Sequence, residues 1–251
     1  MSKNELIELG SRTAKGGFST EKDIVKKFNN WQDDAEAQQW LTIMGYDLKK
    51  IEKVKAMVIT GSHKTDVQIQ IKIYLKEAIA VENLSAKLVS NPHGYNQVDK
   101  RWVDKYVEMW NIPEKVAEAL KLFTGEIRPR KENLRDPRRM FLDEMNVQSQ
   151  KLIIDFFDKN KFLIVSDILK GSDEFPASWM MVVLKKKGEN PQWVLKHINY
   201  ALNVFGGGDV RITGRGSLKI GKITMQRKGG DAGRETSKML QFKINPMELF
   251  H

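Results

Sequence analysis

The sequence predicts an α/β protein in which a central β-sheet is flanked by helices. Three observations lead there. Val67, Ile69, Ile71, Ile73 and Leu75 alternate with Asp66, Gln68, Gln70, Lys72 and Tyr74, the period-two pattern of a strand with one core face and one wet face. Helical spacing governs 33–44 instead, through Ala35, Trp40, Leu41 and Met44, and returns over 98–110 and 113–123. Short apolar runs of strand length then recur late in the chain, over 162–169, 179–185, 210–213 and 239–244.

In chain order, 3–14 and 20–31 read as short amphipathic helices, the second opened by Thr20 with Asp23 three positions on, like a capping box. A third helix over 33–44 has an acidic first turn of Asp33, Asp34 and Glu36 and stops at Gly45. Residues 54–60 form a strand, and 61–64 turn the chain into the strand over 67–75. A reversal near Lys76 and Glu77 starts a return strand over 81–89, so residues whose numbers sum to about 153 face each other, Asp66 with Lys87 and Gln68 with Ser85. On that return strand Leu84, Ala86 and Leu88 share one side, Ser85 and Lys87 the other.

The stretch NPHGYNQ is a loop by its proline and glycine, and helices follow over 98–110 and 113–123, the latter ending at Gly125. Residues 126–139, with two prolines and dense positive charge, make a crossover within one domain; Arg128, Arg130, Arg138 and Arg139 there are candidates for phosphate contact or ordinary solvated cations. Residues 140–161 are helical, with Leu152, Ile153, Phe156 and Phe157 as the buried stripe. Between the late strands a helix over 196–205 stops at three glycines, 206–208. The chain closes with strands over 218–227 and 239–244 joined by the loop KGGDAGRETSK.

A length of 251 residues is enough for one large domain with a substantial core. The 41% hydrophobic and 29% charged residues describe an ordinary globular protein, without an apolar run for a membrane span or a signal peptide. The absence of cysteine removes disulfides and thiolate metal sites, and fits a cytoplasmic protein. A net charge of +10, spread over folded-looking segments rather than gathered in a tail, points to a groove that takes a polyanion, nucleic acid above all. No RNP-like aromatic motif points to RNA.

The early strand pair reads either as an exposed strand face with a cross-strand ion pair, Asp66 with Lys87, or as the seat of chemistry. Asp66, a gap of eighteen residues, and Ser85-Ala86-Lys87 match the PD-(D/E)xK pattern, in which carboxylate oxygens hold Mg²⁺ and a lysine orients or deprotonates the attacking water. Ser85 stands where that pattern has an acid. Glu36, in the acidic first helical turn, either complements the helix dipole or reaches a metal. The late loop, with three glycines, several cations and Asp231 and Glu235, is built either as a plain mobile hairpin loop or as a reader of base edges: Arg or Lys pairs with guanine O6 and N7, and Asp or Glu accepts from cytosine N4.

Several stretches, LIELGSRTAKGGF, EAQQWL with MGYDL, KLVSNPHGYNQVDKRW, LFTGEI, RRMF, SDILKG and above all ITMQRKGGDAGRETSKMLQFKINPMELF, resemble the HinP-type group of type II restriction endonucleases, related to the MspI-like enzymes of the PD-(D/E)xK superfamily. The resemblance covers nearly the whole chain and implies a PD-(D/E)xK restriction-endonuclease-like fold, a mixed central β-sheet flanked by helices, in one domain over 1–251. Within it the catalytic core would span about 20–125 and the recognition hairpin about 209–245. Carried over by position, it implies catalytic Asp66, Ser85 and Lys87 with Glu36, and Mg²⁺ held by Asp66, the Ala86 carbonyl and Glu36. It implies DNA contacts at Asn96 and Gln97 from the GYNQ loop, and at Ser217, Gln226, Arg227, Lys228, Asp231 and Arg234 from the late hairpin.

The implied reaction is Mg²⁺-dependent hydrolysis of double-stranded DNA at a short GC-rich palindrome such as GCGC, leaving 5′-phosphates. The partners are duplex DNA and a cognate DNA methyltransferase in the same cell, without direct contact, and the enzyme acts as a monomer or a homodimer. The alternatives are a non-catalytic sequence-specific DNA-binding protein, for which Ser85 is the best argument, and a DNA repair nicking endonuclease.

Overall fold

The structure is a computed structural model that describes residues 19–60, 67–172, 174–230 and 234–251. The helix expected over 3–14, the turn expected over 61–64, and the candidate residues Asp66 and Asp231 lie outside the described residues. In chain order the elements are α1 (19–29), α2 (Ala35–Ile43), β1 (Ile51–Thr60), β2 (Val67–Leu75), β3 (Ile79–Val89), β4 (Asn96–Arg101), α3 (Val103–Trp110), α4 (Glu114–Thr124), α5 (Val147–Lys159), α6 (Lys161–Leu169), β5 (Trp179–Leu184), β6 (Gln192–His197), α7 (Ile198–Gly206), β7 (Val210–Ile212), β8 (Leu218–Ile220), β9 (Ile223–Arg227) and β10 (Leu240–Ile244). Contacts divide the chain into two compact units, one from the described parts of 9–96, 169–202 and 246–251, the other from 97–168 and the described parts of 203–245.

The first unit is organised on a mixed sheet of order β1-β2-β3-β5-β6, antiparallel throughout except for the parallel pair β3–β5. Its β2–β3 register is the one read from the sequence, with Gln68 opposite Ser85 and Gln70 opposite Asn83. One face carries Ile69, Ile71, Ile73, Leu84, Trp179 and Met181 into a core completed by Phe28 of α1 and Trp40 and Leu41 of α2. Each such side chain contributes roughly 1.5–3 kcal/mol by leaving water. Asp34 fixes the start of α2 by accepting from Ala37 N at 3.0 Å, and Gly45 ends it at φ +91, a left-handed conformation that suits glycine. Thr20, expected as a cap, is buried inside α1 instead.

The second unit has the sheet β4-β10-β9-β8-β7, antiparallel from β7 to β10. Tyr106, Trp110, Phe157 and Phe242 pack ring against ring in its core, and Tyr106 donates to buried Asp99 at 2.6 Å.

Five expectations change. The helix expected from residue 98 starts at Val103, because Val98 and its neighbours join the second sheet as β4. The helix expected over 140–161 starts at Val147, where Asn146 accepts from Ser149 N at 2.8 Å. Residues 162–169, expected as a strand, belong to helix α6: Ile164, Val165, Ile168 and Leu169 are buried while Phe162 and Leu163 are exposed, which is one helix face. Lys196 belongs to β6, a strand unseen in the sequence, so α7 starts at Ile198. The single strand expected over 218–227 is the hairpin β8–β9, which turns at Gly221, where φ is +56 and a Cβ would stand 2.6 Å from Gly207 O.

Candidate active site and recognition hairpin

In the first unit, β3 lies between β2 and β5 and presents Ser85 and Lys87 on the face opposite the aliphatic core. This is not the wet face that alternation suggests: Gln68, Gln70, Ser85 and Lys87 are all buried, with Ser85 2% and Lys87 8% exposed. By register the same face holds Met180 beside Ser85 and Val182 beside Lys87, both fully buried. The lysine thus stands among apolar walls and amide side chains, where charge acts more strongly than in water.

Two cross-strand polar pairs lie on this face. Gln70 Nε2 donates to Asn83 Oδ1 at 3.4 Å, and Asn83 Nδ2 donates to Pro176 O at 3.1 Å. One step along the same strands, Gln68 and Ser85 face each other, and neither contributes to the buried side-chain atoms that lack a partner among the described residues. Side-chain and backbone oxygens are the ligand type that a hard divalent cation such as Mg²⁺ takes. Among the described residues no three His, Cys, Asp or Glu side chains cluster as a metal site. Ala86 sits between Ser85 and Lys87 with its methyl group packed against the core side.

Glu36 is placed elsewhere. Its carboxylate accepts from Trp193 Nε1 at 2.9 Å and pairs with Lys27 Nζ at 2.8 Å. Trp193 faces Val183 in register, and both pack on the side of the sheet that carries Leu84 and Ala86. The structure therefore does not bring Glu36 to Ser85 and Lys87. Its neighbour Asp34 is occupied as well: burial pushes that carboxyl up, but the Ala37 N–H and Lys27 outweigh it and hold it below the ordinary range. Asn96, expected in a loop, opens β4 and donates from Nδ2 to Leu88 O at 2.9 Å, which ties it to the end of β3.

In the second unit Gln97 is half-buried on β4. The β8–β9 hairpin gathers the late candidates: Leu218 pairs with Met225, so one step further along the register Ser217 lies beside Gln226, and Gln226 pairs with Gln241 of β10. Thr213 and Ser217 close their turn by two hydrogen bonds, Thr213 N to Ser217 O at 2.8 Å and Ser217 N to Thr213 Oγ1 at 3.2 Å.

Arg227 is held on all sides. Its Nε donates to Ser237 O at 3.1 Å, and a second guanidinium nitrogen lies 3.8 Å from Asp136 Oδ2. Asp136 also pairs with Arg138 at 2.8 Å and Arg139 at 3.6 Å, and the Arg138 guanidinium, working against the carboxylate's own burial, brings its pKa down to about 2. Gln241, only 2% exposed, donates to the carbonyls of Arg227 and Lys228 at 3.4 and 3.3 Å. The loop beyond this stem offers exposed Arg234. Asp136 and Gln241 were not singled out in the sequence; an acid inside a run of arginines and a glutamine inside an apolar strand were the available signals.

A family model described as R.HinP1I restriction endonuclease matches residues 44–250. Among solved structures, the chain resembles the crystal structure of restriction endonuclease MspI in complex with its cognate DNA, with a TM-score of 0.65 and 12% identity over 94% of this chain and 92% of that one. At that identity the likeness shows the fold, a mixed central sheet with helices, as the sequence led us to expect. No curated protein sequence matches the chain.

Proposed function

We propose, for a chain that belongs to the R.HinP1I restriction endonuclease family and is therefore a type II site-specific nuclease, that it hydrolyses double-stranded DNA with Mg²⁺ at a short GC-rich palindrome of the GCGC kind, leaving 5′-phosphates. The observation that supports this reading is the face of β3 on which Ser85 and Lys87 stand together, with Gln68 of β2 opposite Ser85. In the proposed arrangement Asp66 and the Ala86 carbonyl hold the cation. Bound there, Mg²⁺ supplies Lewis acidity at the scissile phosphoryl oxygen and at the leaving 3′ oxygen. Lys87 hydrogen-bonds the attacking water and aims it in line with that bond, while Met180 and Val182 exclude bulk water from the ammonium group. Ser85 adds a neutral oxygen and no charge.

Asn96 and Gln97 contact DNA near the scissile bond in this proposal, and Ser217, Gln226, Arg227, Lys228, Asp231 and Arg234 belong to the recognition hairpin. The pairing chemistry is that of Arg or Lys with guanine and Asp with cytosine. A cognate methyltransferase protects the same site in a shared cytoplasm. Incubation with one plasmid of known sequence and Mg²⁺, followed by sequencing of the fragment ends, tests the whole reading. Discrete fragments with 5′-phosphates at one GC-rich palindrome are expected, and Lys87→Ala should lower cutting by at least about 10³-fold while specific binding stays within a few-fold. Near-normal cutting by Lys87→Ala would remove this active site from consideration.

A further inference from the structure

We infer that Arg138, Arg139 and Arg227, gathered on Asp136 in the second unit, form a sequence-independent grip on one phosphate of the DNA backbone and leave base edges to the rest of the hairpin; this rests on the DNA-cleaving reading above. Charge around this carboxylate does not balance. Arg138 takes both of its oxygens, donating from Nε to Oδ1 at 2.8 Å and from Nη2 to Oδ2 at 3.0 Å. Arg139 Nε and Arg227 Nη1 stand 3.6 and 3.8 Å from Oδ2, close enough for attraction and too far for a hydrogen bond. Neighbouring acids are engaged elsewhere: Asp143 and Glu144 pair with Arg135, and Glu235 pairs with Lys238 at 2.7 Å. Three guanidinium charges thus meet one carboxylate.

Two of the three cations are largely withdrawn from water. The Arg139 and Arg227 side chains are 17% and 11% exposed, and Arg139 Nε is buried without a hydrogen-bond partner among the described residues. The Arg139 guanidinium lies 3.9 Å from the centre of the Phe141 ring, which holds it in place without supplying a counter-charge. Burial first, and then the facing Arg227, pull Arg139 below the ordinary arginine range; burial and Arg138 do the same to Arg227. A half-buried surplus of positive charge is costly until an anion meets it, and an orphaned buried donor marks the place of a partner. Geometry favours a phosphate over a base, because reading guanine takes a free two-donor edge of an arginine. The Nε–Nη2 edge of Arg227 is spent on Ser237, on the carbonyl oxygen at 3.1 Å and Oγ at 3.5 Å, and that of Arg138 on Asp136. What remains is charge and single N–H donors from several directions, which suit the oxygens of one phosphate and carry no sequence information. Arg138, 74% exposed, is the member that meets the backbone first.

The test is fluorescence anisotropy of two labelled duplexes, one with the cut site and one without, titrated with the full chain over a range of NaCl concentrations, with Ca²⁺ in place of Mg²⁺. The double variant Arg138→Gln/Arg139→Gln should weaken both duplexes by the same factor, about tenfold at low salt, and flatten log affinity against log salt by about one unit, the share of one phosphate. Arg138→Gln alone, at an exposed position where folding is not at stake, should give a smaller change of the same kind. Lys105→Gln/Lys151→Gln removes two charges from exposed positions of α3 and α5 and should leave the slope as it was. A loss confined to the duplex with the cut site assigns the cluster to base reading and overturns the inference. So does an unchanged slope in both arginine variants, or an equal change in the lysine variant, which would make the effect one of net charge. If the unaltered chain cuts DNA and the arginine variants bind as it does, the inference fails alone; if the unaltered chain neither binds nor cuts duplex DNA, the nuclease reading fails with it.

Discussion

Glu36 ends between two donors, Lys27 Nζ and Trp193 Nε1, and that occupation sets what its removal does. Glu36→Gln retains an acceptor for the indole and gives up the charge paired with Lys27. The half-exposed ion pair contributes on the order of 1 kcal/mol or less, so a small drop in the urea midpoint is expected, with the initial cleavage rate within about twofold. Loss of cleavage at unchanged stability would instead assign Glu36 to the chemistry. The sequence shows an acid in the first turn of a helix, which is the right chemistry for a metal. It does not show which face of the sheet that helix covers. The decisive fact is that Trp40 and Leu41 of the same helix pack against Ile69 and Leu84, which puts α2 on the side away from Lys87. For Ser85 and Lys87 the sequence said more, because their alternation with Leu84 and Leu88 fixes a shared face; their burial was illegible, since a polar residue carries no mark of being covered.

Elements were legible where pattern and turn agreed. The β2–β3 register follows from a reversal near Lys76 and Glu77, which sets Gln68 opposite Ser85; the five alternating apolar residues fix only which face meets the core, since a one-residue slip would expose them and a two-residue slip would not. Helix α6 was misread because a short apolar run fits a buried strand as well as a helix; the exposure of Phe162 and Leu163 separates the two only in three dimensions. The β8–β9 turn was missed because Gly221 stood inside an apolar run, with only its positive φ and tight approach to Gly207 marking the reversal. That hairpin has a stem in which Asp136 reaches Arg227, and Arg227 reaches Ser237 O, which also accepts from Gly229 N at 2.9 Å. Asp136→Asn should therefore loosen the stem, seen as faster amide hydrogen exchange at Gly229, and cost about 1–2 kcal/mol at neutral pH. The sign with pH follows from the carboxyl. Its folded pKa of about 2 lies below the unfolded value of about 3.9, so its contribution is complete above pH ~4 and disappears as pH falls toward 2. A difference between Asp136→Asn and the unaltered chain that persisted undiminished at pH 2 would rule out the carboxylate as its source.

At the scale of the whole molecule, neither unit is a continuous piece of chain. The expected catalytic core of about 20–125 contains β1, β2 and β3 but not β5 and β6, which complete the same sheet from 179–197. The parallel pairing of Leu84 with Trp179 joins positions 95 apart, and no local pattern in a sequence names such a partner. A chain cut to 20–125 would leave β3 with an open edge and remove Trp179, Met181 and Leu195 from the core around Ile69 and Ile71. Large buried side chains of this kind are worth about 2–5 kcal/mol each, and three of them together match the roughly 5–15 kcal/mol by which a native domain is stable at all. The fragment 20–125 should accordingly show no cooperative thermal transition and little near-ultraviolet circular dichroism, whereas the full chain melts cooperatively. Restoring 169–202 through a linker, in the order that lays β5 beside β3, should recover the transition, because it returns both the missing core residues and the hydrogen-bonded neighbour that β3 needs. A fragment 20–125 that melts cooperatively by itself would show instead that the elements from α1 to α4, with β1–β4, hold enough buried surface without the later strands.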